Sequence, residues 1–300
     1  MSTAAKSLPH KQRHHRRWNA FDAVNVVFMC LFLFLIVYPF WYAVVNSFNA
    51  DLVWRPAFFL PDNWSARPYQ IVMNDSSVIT GFINSVLRTV VGTAGAVICC
   101  SLAGYAMSKP NLKFRGLYMA IFMIPTFFNG GQIAVYLNLK SLGLLNNFWV
   151  YIVPKLFAFF WMVILMSNFK GVPSELEEAA YMDGASTLRV FVQVVLPICL
   201  PALATIALYA AVNQWNSWYD TAYYTNGKAL NTLSWILMRT VKEQAFADMA
   251  QDMKAVENNS YNPEGVKMAT MVIAAVPIIM IYPFLQRYFV KGLMVGSIKG

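Results

Sequence analysis

The sequence predicts an all-α membrane protein with six transmembrane helices, and three observations predict it. Only 12% of the 300 residues are charged and 58% are apolar, whereas a soluble domain carries about 25% charged residues. Six apolar runs recur, each long enough at about 1.5 Å per residue to cross a ~30 Å hydrocarbon core. The segments between them differ in Lys and Arg: residues 1–20, 108–115, 170–197 and 286–300 hold 13 of the 23. The positive-inside rule places that richer side in the cytoplasm. The net charge of +9 therefore belongs to membrane flanks. The uncharged spans leave no basic face of the size that nucleic acid requires.

Residues 1–20 form a basic tail with Lys6, Lys11, Arg13, Arg16 and Arg17, expected inside. Span one covers about 22–45, with Asp22 at its edge and Tyr38, Trp41 and Tyr42 as an interfacial belt. It is too long for a cleavable signal and lacks an Ala-x-Ala exit. An outer loop with Pro56, Pro61 and Pro68 leads to span two, about 78–107. That span starts polar at Asn84, Ser85 and Arg88 and then turns small: Gly92, Ala94, Gly95, Ala96, Ala103, Gly104. Small residues let helices approach closely in lipid.

Span three, about 116–138, is broken by Pro125 and by Asn129-Gly-Gly-Gln132. Such a break is tolerated where helices line a protein interior or a wet cavity. Span four covers about 148–169, with Lys155 near the outer surface and able to snorkel. Span five covers about 198–219, residues 220–267 form a long outer segment, and span six covers about 268–286. Cys30, Cys99, Cys100 and Cys199 each lie in or beside an apolar span, as small hydrophobes do.

Residues 170–197 read as helix, turn, helix. Ser174 and Glu177 form a Ser-x-x-Glu capping box after Pro173. Leu176, Ala179, Ala180 and Met182 give the first helix one apolar side. Gly184 suits the left-handed position that ends it. Ser186 caps a second helix running to Val195, and Leu196-Pro197 marks the break before span five.

The chain shows no catalytic constellation, no metal-ligand cluster, no cofactor motif and no phosphate-cradling Gly-Lys-Ser/Thr loop. Any use of ATP must come from a partner. A secondary transporter would carry paired acids within its spans, and these spans show essentially none. A membrane-embedded enzyme would need a His/Asp/Glu or Ser/Lys set at membrane depth, and none is present.

Glu178-Ala-Ala, Gly184 and Val194-x-Leu196-Pro197 together resemble the EAA loop in membrane subunits of binding-protein-dependent ABC importers. The one variation is Val194, where that family usually has isoleucine. Asp183-Gly-Ala-Ser, Phe191 and Leu142-Gly-Leu-Leu-Asn146-Asn147 resemble the carbohydrate branch of the family. Gly292-Leu-x-x-Gly296-x-x-Lys299-Gly300 is similar to the maltose-transporter G-type subunit. Phe127-Phe-Asn-Gly-Gly131 with Tyr136-Leu resembles the subgroup for poly- and oligosaccharides.

The resemblance implies a type I importer permease fold with cytoplasmic EAA coupling helices. It implies a heteromeric complex in a bacterial cell membrane: a second permease, two ATP-binding subunits and an extracellular or periplasmic solute-binding protein. Both termini would be cytoplasmic. Glu178, Ala179, Ala180, Asp183, Gly184, Phe191, Leu196 and Pro197 would form the ATPase-coupling element, with Phe191 an anchor for the partner. Gly296, Lys299 and Gly300 would reach between the ATPase subunits, or else fray.

The sugar path draws on Arg88, Asn129, Gln132, Tyr136, Asn213, Trp215 and Trp218. Amides suit hydroxyls, and indole faces suit the apolar face of a sugar ring. The tryptophans also fit a plain interfacial belt. Arg88 has two readings. It faces the path or pairs with an acid on the partner permease, or it snorkels to the outer interface. Amino acids and peptides stay open beside sugars as substrates.

Overall fold

Small residues on one long helix let two neighbours pack against it, and the computed structural model is arranged around that helix. It describes residues 19–49, 55–61, 63–128, 130–251 and 262–296. Of the basic tail, only Asn19 and Ala20 fall within this set. The described residues are mostly helical and contain no β-strand, with one isolated bridge between Asn49 and Trp64. In order they form α1 (Ala20–Ser47), α2 (Arg67–Asn74), α3 (Ser76–Ser108), α4 (Arg115–Phe127) and α5 (Gly131–Ser141). Two 3₁₀ turns, Phe148–Tyr151 and Val153–Lys155, lead into α6 (Phe159–Lys170). Then come α7 (Ser174–Met182), α8 (Thr187–Val190), a π-helical segment Phe191–Val195, α9 (Leu196–Ile198) and α10 (Leu200–Asn216). The chain continues through α11 (Tyr219–Tyr224) and α12 (Leu233–Gln251) to α13 (Pro263–Gly296).

α3 is the organising helix. Asp75 caps it by accepting the Ser77 N–H at 2.8 Å. It packs most extensively on α10 and α6. At Gly104 α3 meets the backbone of α6: a Cβ there would lie 3.1 Å from the Met162 carbonyl oxygen and 3.2 Å from the Met166 nitrogen. Backbone cannot yield as a side chain can. Gly104→Val is therefore expected to destabilise the fold by about 1–3 kcal/mol, the usual cost of overpacking. Thermal unfolding of the detergent-purified protein checks this, and an unchanged midpoint would refute the close α3–α6 contact.

α1 behaves differently. It is apolar on all sides and exposed along most of its length, with Phe21, Phe28 and Leu35 all more than half accessible. Its main neighbour is α13. A long, uniformly apolar helix of this kind has a surface suited to a hydrocarbon surrounding. At its start Asp22 accepts the Asn19 N–H at 3.2 Å, which places an acid where the helix dipole favours one.

Among the described residues, three helices are long and apolar enough to cross a membrane: α1, α3 and α13 over Pro263–Ile281. Three bent pairs raise the number to six: α4 with α5, the turns Phe148–Lys155 with α6, and Thr187–Ile198 with α10. Span three, expected over 116–138 with a break, is broken between α4 and α5, with Pro125 kept inside α4, while span four is not the single straight span expected over 148–169. The first breaks before Gly131, whose φ of +80° suits only glycine. The second bends by 50° after a turn containing Pro154, which has no amide to donate. The expected break at Leu196-Pro197 also moves. Pro197 occupies the first turn of α9, a tolerated position. The 84° bend falls between Ile198 and Leu200. The outer segment expected over 220–267 contains α11 and α12, and α12 packs on α3 and α13.

Candidate functional site

The α7–α8 hairpin is set by local chemistry at its turn. Gly184 has a φ of +79°. Its N–H reaches the Tyr181 carbonyl at 3.0 Å, and the Ala185 N–H reaches that of Ala180 at 3.0 Å. These two bonds are a Schellman closure, which satisfies carbonyls the helix end would leave bare. Ser186 then caps α8 by accepting the Arg189 N–H at 3.4 Å.

The start of α7 departs from expectation. Ser174 is the first helical residue, Pro173 precedes it, and no side chain caps the end. The capping box fails because Glu177 is engaged elsewhere. Its carboxylate is ion-paired with Lys109 and accepts the Tyr105 hydroxyl at 3.1 Å. Glu177 is buried and joins α7 to α3.

The rest of the hairpin faces outward. Glu178, Ala179 and Asp183 are exposed, and Ala180 is half-buried. Leu176 and Leu188 are exposed, and Met182 is 88% accessible. Three exposed apolar side chains beside two acids make a surface that suits a protein partner.

Phe191, expected to anchor that partner, does not face it. It is buried at 4% exposure, with its ring centroid 4.6 Å from Tyr105 and 5.9 Å from Phe169. It anchors the hairpin to its own bundle. The wider π-helical winding across Phe191–Val195 buries Phe191 and Val195 beside Val190 at the end of α8. Leu196 is half-buried and Pro197 exposed. Gly296 is the last residue of α13, and Lys299 and Gly300 lie outside the described residues.

At the other end of α3 the structure gathers a charged cluster that sequence reasoning did not assemble. Arg88 is completely buried. It donates to the Asp220 carboxylate at 2.6 Å, to Gln214 Oε1 at 3.0 and 3.2 Å, and to the Ser217 carbonyl at 2.9 Å. Its guanidinium lies 4.4 Å from the Tyr151 ring centroid. Lys155 donates to the same Asp220 oxygen at 2.6 Å and to Ser217 Oγ at 2.9 Å. Arg88 does not snorkel, does not stand open to a path, and finds its acid, Asp220, in its own chain. Lys155 does not snorkel either.

The acid comes from α11, just past span five. Asp220 is the first residue of the segment expected outside over 220–267. The signal that could have found it was the presence of two cations, Arg88 and Lys155, in spans two and four with no anion beyond Asp22 at the edge of span one. Burial raises the Asp220 carboxyl, but Lys155 and then Arg88 outweigh it and hold the group below the ordinary carboxylate range. A buried pair is favourable only when its remaining lone pairs and protons are also bonded. Gln214 and Ser217 supply those bonds, and the Tyr151 ring lies against the guanidinium.

The remaining path candidates do not converge. Trp215 is buried and donates its indole N–H to the Ala274 carbonyl at 3.0 Å, so it packs rather than lines a path. Trp218 is half-buried and stacks on Trp235 at 6.4 Å. Asn213 and Gln132 are exposed. Tyr136 is 38% accessible, with its ring 6.5 Å from that of Tyr224. Asn129 lies outside the described residues. Among the described residues no group of His, Cys, Asp and Glu could hold a metal ion.

A bundle with several apolar helices long enough to cross a membrane, carrying an outward hairpin, is the frame of a multi-pass membrane protein. The chain belongs to the family of binding-protein-dependent transport system inner membrane components, whose profile matches residues 96–295. It is a multi-pass permease subunit of an ABC importer and not an enzyme; ATP hydrolysis belongs to a partner subunit.

Two relatives come from Bacillus subtilis (strain 168). The polygalacturonan/rhamnogalacturonan transport system permease protein YtcP is 34% identical over 283 residues, 93% of this chain and 98% of its own. Protein LplC is 33% identical over 294 residues, 97% of this chain and 99% of its own. Among solved structures, a chain of a bacterial ABC transporter that imports the acidic polysaccharide alginate superposes with a TM-score of 0.82. It is 29% identical, over 94% of this chain and all of that one. A second chain, from an alginate transporter solved with a pentasaccharide-bound periplasmic protein, shares only the fold, at 12% identity and a TM-score of 0.56.

Proposed function

We propose that this permease imports an oligosaccharide and takes up the work of ATP through the α7–α8 hairpin. One observation carries the docking role: Leu176, Met182 and Leu188 stand exposed beside Glu178 and Asp183 on a hairpin whose turn is fixed by Gly184. An ATP-binding subunit sits on that surface, and nucleotide-driven closure of the ATPase pair moves the hairpin. A second permease completes the bundle, and a solute-binding protein delivers substrate on the opposite side. The hairpin and both termini are cytoplasmic, in keeping with the 13 Lys and Arg on that side.

The sugar assignment is supported by the names of the relatives, which concern polygalacturonan and rhamnogalacturonan, diacetylchitobiose and maltodextrin. The test is to purify this chain from its native membrane in mild detergent and identify what accompanies it. An ATP-binding subunit and a solute-binding protein are expected. Titrating that binding protein with galacturonate, chito- and malto-oligosaccharides should show saturable binding of one. Binding of amino acids or peptides instead would overturn the sugar reading, and absence of the ATPase would overturn the docking role.

A further inference from the structure

Glu177 precedes the Glu178-Ala-Ala stretch and points the other way, into the bundle. It is 8% exposed and is the buried acid that joins α7 to the long helix α3. Lys109, just past the end of α3, pairs with it while keeping part of its side chain accessible. The same ammonium lies 4.3 Å from the centre of the Tyr105 ring. Tyr105 donates its hydroxyl to Glu177 and packs its ring against Phe191 at 4.6 Å and Phe169 at 6.2 Å. One tyrosine therefore touches α7, the π-helical segment and the end of α6 from its place on α3. Gly104, next in the chain, is where α3 has no room to slide against α6.

These contacts form a joint with two parts. The aromatic part is apolar and tolerates small rotations. The ionic part is directional: a carboxylate held by an ammonium and a phenol cannot swing without losing one of them. We propose that Glu177 is a positioning residue that locks α7 to α3, so that a displacement of the hairpin moves α3 with it. This rests on the reading of the hairpin as the ATPase-docking surface. Exposed Glu178 serves the partner; buried Glu177 serves the transmission.

The test uses the full complex with its ATP-binding subunits, in nanodiscs. Cys30, Cys99, Cys100 and Cys199 are first replaced by alanine. Spin labels go on Glu175→Cys in α7 and Leu102→Cys in α3, both exposed positions outside the docking residues. Their distance is measured without nucleotide and with ATP trapped by vanadate. With Glu177 present, the distance is expected to stay the same in both states. With Glu177→Gln, it is expected to shift by about 2–5 Å on trapping, the scale of helix displacements in switching proteins. Without nucleotide it should match the parent. The exchanged pair Glu177→Lys with Lys109→Glu is expected to restore the constant distance.

An unchanged distance in Glu177→Gln on trapping overturns the proposal. So does a shift present equally without nucleotide, because that would mean Glu177 only holds the resting fold. A parent complex that hydrolyses no ATP would instead overturn the docking reading, a result distinct from either.

Discussion

Asp220→Asn is expected to destabilise the protein by about 3–5 kcal/mol, the cost of leaving a buried charge without its counterion. Arg88 cannot move to water: it is fully buried, and its nitrogens also serve Gln214 and the Ser217 carbonyl. Asparagine keeps the shape and removes the charge from between two cations. In a detergent-purified sample this corresponds to a melting midpoint roughly 10 °C lower. Pairing the change with Arg88→Met should recover part of the loss, because an apolar replacement removes the stranded charge as well. An unshifted midpoint for Asp220→Asn would mean that water already solvates the cluster.

The pH dependence follows from the same geometry. Burial works against the Asp220 carboxylate, but Lys155 and Arg88 hold its folded-state pKa below the ordinary value. A depressed acid contributes its full stability above its unfolded pKa. That contribution is lost as pH falls through the folded value. Stability of the parent should therefore decline below the ordinary carboxylate range, and Asp220→Asn should flatten that part of the curve.

Gly184→Glu is expected to weaken docking of the ATP-binding subunit by about 30-fold or more, the effect of losing an interface hot spot. Two causes add. At a φ of +79°, any residue with a Cβ carries about 1–2 kcal/mol of strain, which the turn relieves by opening. The new carboxylate also projects into the surface of Met182 and Leu188. A Cβ at this position meets no atom within 4 Å, so the bundle itself is not disturbed, and membrane levels should match the parent. Co-purification of the ATPase measures the loss. Gly184→Asn is the control, since asparagine tolerates the left-handed region; it should retain most docking. Equal loss in both variants would mean that bulk, not backbone, is responsible.

Which features were legible in the sequence depended on how far apart their causes lay. The Schellman turn involves residues at most five apart, so Gly184 and Ser186 could be placed without a structure. The capping box was equally local, yet wrong, because a distant Lys109 and Tyr105 took the Glu177 side chain. Phe191, an anchor for the partner by the resemblance, is instead held by rings from distant α3 and α6, Tyr105 and Phe169, which no local pattern around it announces. Gly92 and Gly104 read correctly as close-packing positions, but not against what: Gly104 meets the α6 backbone and Gly92 meets Gln214.

The sequence by itself determined that the chain is a helical membrane protein and where its hairpin turns. Charge deficit, apolar length and turn chemistry are properties of neighbouring residues. Only the tertiary structure decided that Arg88, Lys155 and Asp220 are one cluster, and that Glu177 faces inward while Glu178 faces out. A buried charge takes whichever partner the packing of distant helices brings within about 3 Å. From Arg88 to Asp220 that partner is 132 residues along the chain.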